Sequence, residues 1–263
     1  MKKETHNYVL ALKVAKPEFG VRPVGGEVWF GAIKNYIEEG ETTSNDQQGD
    51  KYEGVFARLK KNSQLVYHYM QVLGDDLEMC DDGDCYLLRR KSSRYVCAFC
   101  MYGFDEKELE PLDAPYWENG QLVQDFQYKI SPEMHKKFLG EDTDKSGWYF
   151  SIGHFYEALA ASMTVPMVCG GVIYDLDPTA EFCFEPDDMY SELFHKRKDL
   201  SYQKEVRNLI LNKDPKLKGI AIKFDMLPEG SSWFVMHDTE GLNMQFTCGM
   251  KPLGDDCSDS VKV

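Results

Sequence analysis

The sequence has no run of about 18 consecutive apolar residues, so nothing in it reads as a membrane-spanning helix. It has no excess of basic charge either. Thirty Lys and Arg stand against 44 Asp and Glu, a formal net charge of −14. Phosphate backbones require a basic field, so this balance argues against direct binding of free nucleic acid. The segment Met1 to Asn7 is polar and no apolar signal segment follows it, which points to the cytoplasm. Internal repeats and linkers rich in Pro, Gly or Ser are also missing. The expectation is one domain over residues 1–263, with a core over residues 8–240 and a polar tail region over 241–263.

Several chemical signatures are absent as well. The chain carries no Gly-rich phosphate loop, neither a Walker pattern nor a dinucleotide fingerprint. No G-x-S-x-G nucleophile elbow is present. The six histidines are scattered without metal-ligand spacing, and His154 reads best as a structural histidine.

What the chain does contain is enough apolar material for a core. Hydrophobic residues make up 43%, with 15 Tyr and 15 Phe, which excludes a disordered chain. Strand patterns cover 8–14, 27–32, 64–71, 148–152, 171–175, 218–226 and 232–237. Residues 85–90 and 94–104 read as a hairpin joined at Lys91-Ser92-Ser93. Helical patterns cover 33–39, 154–163 and a short piece within 187–198, and Ser131-Pro132-Glu133 has the form of a helix start. Residues 40–49, 74–84 and 105–120 read as loops, turns or irregular chain. Many strands and few helices without βαβ alternation predict an α+β domain around a twisted, mostly antiparallel sheet.

Of eight cysteines, Cys80, Cys85, Cys97 and Cys100 have spacing that would allow a zinc site. The second pair argues against it. Residues 95–102 are apolar or aromatic throughout, and Cys97 and Cys100 fall on opposite faces of such a strand. Buried free thiols are the preferred reading, with no metal ligands assigned and no disulfide required.

Charged residues that interrupt apolar segments are the candidate site. Asp50 and Glu53 lie between Gly49 and Gly54, either as a turn device or as carboxylates aimed at one spot. Glu205 and Arg207 share a face if their segment is a strand, either as a structural ion pair or as a functional one. Lys13 interrupts the first strand. Burying these charges is costly unless they pair or meet a ligand, so Lys13, Asp50, Glu53, Glu205 and Arg207 are expected to form one polar pocket.

The order of Leu12-Lys13-Val14, Gly26-Glu27-Val28-Trp29-Phe30, Gly49-Asp50-Lys51-Tyr52-Glu53-Gly54, Phe99-Cys100-Met101-Tyr102, Phe194-His195-Lys196-Arg197 and Tyr202-Gln203-Lys204-Glu205-Val206-Arg207 resembles a group of bacterial and phage proteins. These are related in pattern to the AbiGi-like domains of prophages and defence loci, and the resemblance spans roughly residues 8–226. Some of those domains look like degenerate ADP-ribosyltransferases. The resemblance then implies Lys13 at the first-strand position, where that fold places His or Arg, Tyr149 as the middle residue and Glu205 as the late glutamate. Glu205 would hold a ribose hydroxyl and steady an oxocarbenium-like centre, with Tyr149 as its catalytic companion. Lys13, Asp50, Glu53 and Arg207 would bind the cofactor, and NAD is the first ligand to test.

The expected function is therefore a phage–host conflict protein acting through a polar pocket. The alternative is a non-catalytic inhibitor or adaptor whose acidic stretches 75–84, 105–118 and 181–192 dock a basic, nucleic-acid-handling protein.

Overall fold

The computed structural model describes residues 7–15, 27–42, 49–139, 145–163, 165–184, 190–212, 214–224, 232–236 and 242–249. In chain order the strands begin with β1 (Tyr8–Ala15), β2 (Glu27–Ala32), β3 (Val55–Lys60), β4 (Leu77–Asp82), β5 (Cys85–Arg90) and β6 (Cys97–Asp105). They continue with β7 (Glu110–Pro111), β8 (Tyr116–Glu118), β9 (Gln121–Ile130), β10 (Lys145–Ser151), β11 (Met167–Gly171) and β12 (Ile173–Leu176). The last are β13 (Phe182–Cys183), β14 (His195–Arg197), β15 (Glu205–Ile210), β16 (Gly219–Lys223), β17 (Ser232–Met236) and β18 (Leu242–Gly249). The helices are α1 (Ile33–Thr42), α2 (Gln64–Leu73), α3 (Pro132–Leu139) and α4 (Ile152–Ser162).

The largest sheet runs β11-β15-β6-β1-β10-β17, with β2 also on β6 and β16 on β2. All its pairings are antiparallel. This is the expected α+β architecture. Strand β6 is the hub, and its continuous apolar run suits a strand covered on both faces. One edge of β6 pairs with β15 along Cys97–Tyr102. The other edge is shared. Residues Tyr102 to Asp105 take β1, while Cys97 and Ala98 take β2. Between them β1 and β2 part company, and the sheet forks beside residues 99–101.

Helix α4 packs on β1 and β10 and completes a core of Phe30, Phe99, Trp148, Phe150, Phe155 and Leu159. The Phe99 and Phe155 rings stack at 5.5 Å. Each such side chain taken out of water stabilises by roughly 1.5–3 kcal/mol, so this cluster anchors the fork from one side. A second sheet, β13-β3-β5-β4, carries a smaller core with α2 laid against it.

The structure corrects several readings of the sequence. Residues 64–71 are helical, not a strand. The Ser63 side chain caps the helix by accepting from the Leu65 amide at 3.3 Å. Val66, Tyr69 and Leu73, at helical spacing, then meet the β3–β5 layer. Strands β5 and β6 are not a hairpin either. Ser92 and Ser93 open a short 3-10 turn tied to Asp76 and Glu192, and this sends the two strands into different sheets. The hairpin is β4–β5, turned at Gly83 with φ +67°, so the acidic stretch 74–84 holds an edge strand. Residues 105–120 contain β7 and β8, both on β9. The tail region begins with a paired strand, because β18 runs beside β9 from Leu242 to Gly249. Residues 250–263 and 43–48 lie outside the described residues.

Candidate functional site

The fork between β1 and β2 opens into a cleft of about 600 Å³. Lys13, Asp50, Glu53, Glu205 and Arg207 all line it. These five residues come from three separate parts of the chain, and the fold brings them together.

Lys13 follows Leu12, the last β1 residue paired with β6. Its ammonium turns into the fork and donates to the Cys100 carbonyl at 2.8 Å. It also lies 4.9 Å from the centre of the Phe99 ring. Among the described residues no carboxylate pairs with it. Burial pushes its pKa down, only partly offset by Cys100 and Glu205.

Asp50 and Glu53 sit on a tight turn. Asp50 Oδ1 accepts from the Tyr52 amide at 2.9 Å, and the Glu53 amide donates to the Asp50 carbonyl at 2.9 Å. The expected turn device and the expected pocket residue are therefore the same group. The turn is pressed against α1. A Cβ on Gly40 would lie 2.6 Å from the Asp50 nitrogen, and one on Gly49 2.2 Å from the Gly40 nitrogen. Only glycine permits that approach. From the second sheet, buried Arg89 donates to the Glu53 carbonyl at 3.0 Å and also to the Lys51 carbonyl. Burial raises the Asp50 pKa, against the opposing pull of the Tyr52 amide. Asp50 Oδ1 lies 3.3 Å from Arg197 Nε, while Asp50 Oδ2 has no hydrogen-bond partner among the described residues.

Glu205 and Arg207, two apart on β15, point from one face as expected. Arg207 donates to Glu53 at 2.5 and 3.2 Å and, through Nε, to Glu205 Oε1 at 2.6 Å. Lys196 donates to Glu205 Oε2 at 2.6 Å and to Gln203 at 3.1 Å, and lies 4.0 Å from Glu53. Two carboxylates and two cations form a closed, buried ring, and Lys13 adds one further cation beside it. Burial acts against the charge on Glu205, but Arg207 and Lys196 outweigh it and hold the carboxyl far below the usual range. Glu205 is thus a fixed anion rather than a proton donor. The Cys100 thiol, by contrast, is pushed up to about 12 by burial and by Glu205, so it stays protonated and is a poor nucleophile.

Lys196 was not singled out for the site. It belongs to the basic run 195–198, which carries no sign that one member turns inward. The aromatic lining residues Trp29, Tyr36 and Tyr202 were missed for the same reason, since aromatic residues read first as core. Trp29 is 47% exposed and its indole lies over Gly219, where a Cβ would come within 2.4 Å of the ring. Tyr149 does not join the site. It stands opposite Leu12 on β10 and packs beside Leu12, Tyr102, Phe104 and Ile130, outside the cleft lining.

Cys97 and Cys100 face different clusters, as opposite sides of one strand require. Cys80 and Cys85 belong to the other sheet. Among the described residues no three His, Cys, Asp or Glu side chains gather as a metal site.

No protein-family model matches the chain, and neither does any curated protein or solved structure.

Proposed function

We propose that the protein binds an NAD-like nucleotide in the forked cleft and acts through it in phage–host conflict, with ADP-ribosyl transfer as the associated chemistry. The observation that carries this reading is the convergence of Lys13, Asp50, Glu53, Glu205 and Arg207 on one open cleft that aromatic residues also line. A planar base suits Trp29, Tyr36 and Tyr202 by stacking. A phosphate suits the Lys13 ammonium, which has no carboxylate partner among the described residues. Glu205, held as an anion, has the character needed to accept a ribose hydroxyl and to steady positive charge at the anomeric carbon. The conflict role rests on the resemblance in motif order alone.

The acidic stretches lend less support to the docking alternative, because much of their charge is already matched. Asp81 pairs with Lys61, Asp82 with Arg58 and Lys51, Glu108 with Lys204, Glu110 with Lys129, and Glu181 with Lys60. Glu192 is buried against Ser93.

Titration calorimetry with NAD and with ADP-ribose tests the reading. Binding is expected for the wild type and is expected to weaken in Trp29→Ala with the fold intact. A folded wild-type protein that binds neither compound overturns it. A conflict assay in bacteria with Glu205→Ala then separates binding from consequence, since loss of activity in a folded variant is the expected result.

A further inference from the structure

The cleft lining holds two amines that the ring of ion pairs does not use, Lys13 and Lys137, and Lys137 is paired with Glu133 at 3.3 Å. Lys196 is committed to Glu205 and Gln203, and Arg207 to Glu53 and Glu205. Lys13 Nζ has only the Cys100 carbonyl as a hydrogen-bond partner and no carboxylate among the described residues. It sits where β1 and β2 separate, so the cleft gives small molecules a route to it. An amine that is reachable, uncommitted and set among hydrogen-bonding side chains has the geometry of a nucleophile rather than of a structural cation.

We propose that Lys13 is a covalent attachment site whose amine forms an imine with the aldehyde of a small reducing sugar. The nitrogen bonds to the carbonyl carbon, and both amine protons leave with the carbonyl oxygen as water. No oxidant or reductant is consumed. The floor of the cleft suits such a ligand. Glu205 accepts hydrogen bonds from hydroxyl groups, while Gln203 and Lys196 offer further polar contacts to a polyhydroxylated chain. The reaction needs the neutral amine. The titratable groups that share the cleft with Lys13 are Tyr36 and Glu39 on α1, Asp50 and Glu53 on the turn before β3, Cys100 and Tyr102 on β6, Lys137 on α3, Lys196 on β14, Tyr202, and Glu205 and Arg207 on β15. Burial favours the neutral form most strongly, Cys100 and Glu205 oppose it in part, and the Phe99 ring also favours the ammonium. The inference goes beyond the nucleotide reading and shares its cleft: Lys13 meets a phosphate as the ammonium and an aldehyde as the neutral amine, and calorimetry with NAD tests the first while trapping tests the second.

The test is reductive trapping of the full-length wild type with glyceraldehyde and cyanoborohydride at neutral pH, followed by peptide mapping. Lys13 is expected to be modified several-fold faster than the exposed Lys60 and Lys129, in the direction that burial of its amine gives. Lys196 is expected to stay unmodified, and Lys13→Arg should remove the cleft adduct while surface labelling continues. The excess should shrink as the pH approaches about 10.4, the ordinary lysine value. Modification of Lys13 no faster than that of the exposed lysines overturns the proposal, with no need for a variant to fold.

Discussion

Arg207 joins Glu53 across 154 residues of chain, donating to both of its carboxylate oxygens at 2.5 and 3.2 Å. The pair ties the first sheet to the turn that leads into the second, and it does so at the floor of the cleft. Removing one partner strands the other charge in a buried place. Arg207→Ala should therefore cost about 3–5 kcal/mol, whereas the double variant Arg207→Met with Glu53→Leu should recover much of that. Urea denaturation measures both, and a cost under about 1 kcal/mol for the single variant would contradict a buried, mutually dependent pair.

Acid sensitivity follows from Glu205. Its folded-state pKa is depressed, so its contribution is complete above the unfolded value of about 4.3 and is lost as pH falls below it. Glu78 and Asp82, held low by Arg94 and by Arg58 and Lys51 against the effect of burial, act in the same direction. Stability should fall as pH drops below about 4, and Glu205→Gln should make that fall shallower. Denaturation midpoints across an acidic pH series give the comparison, and identical slopes would refute it.

Arg89 should govern the order of the 50–54 turn without touching a ligand in the cleft. It reaches the turn through the Glu53 and Lys51 carbonyls and is itself fully buried. Arg89→Met leaves those carbonyls unsatisfied, at about 1–3 kcal/mol each. Amide exchange at residues 50–54 should accelerate more than at β6. Uniform acceleration across both would mean that Arg89 supports only global stability.

Glycine to alanine inside a helix ordinarily stabilises by up to about 1 kcal/mol. At Gly40 the sign should reverse. The added methyl meets the backbone of Asp50 and Lys51 at 2.6–2.8 Å, and backbone cannot swing aside as a side chain can. Gly40→Ala is expected to cost about 1–3 kcal/mol and to displace Asp50. A thermal melt equal to or above that of the wild type would show that α1 and the turn are not pressed together in solution.

Much of the candidate site was legible because burying charge is costly. Lys13 in an apolar strand, and Glu205 and Arg207 beside Leu209 and Ile210, stand out against their neighbours, and the fold gathers them. The α+β class was legible from strand patterns of period two without βαβ alternation. The segment 64–71 shows the limit, because its short apolar run fits either period. The Ser63 cap and the β3–β5 surface decided for helix. The link between residues 90 and 97 looked like a hairpin turn until Asp76 and Glu192, distant in the chain, claimed its serines. Lys196 and Trp29 had no local mark at all, since a basic run and an aromatic residue have common bland roles. The pattern of charged and apolar residues set which side chains had to find partners or leave water. Which partners they found was decided by the fork in the β6 edge, a relationship among strands far apart in the chain that no local pattern encodes.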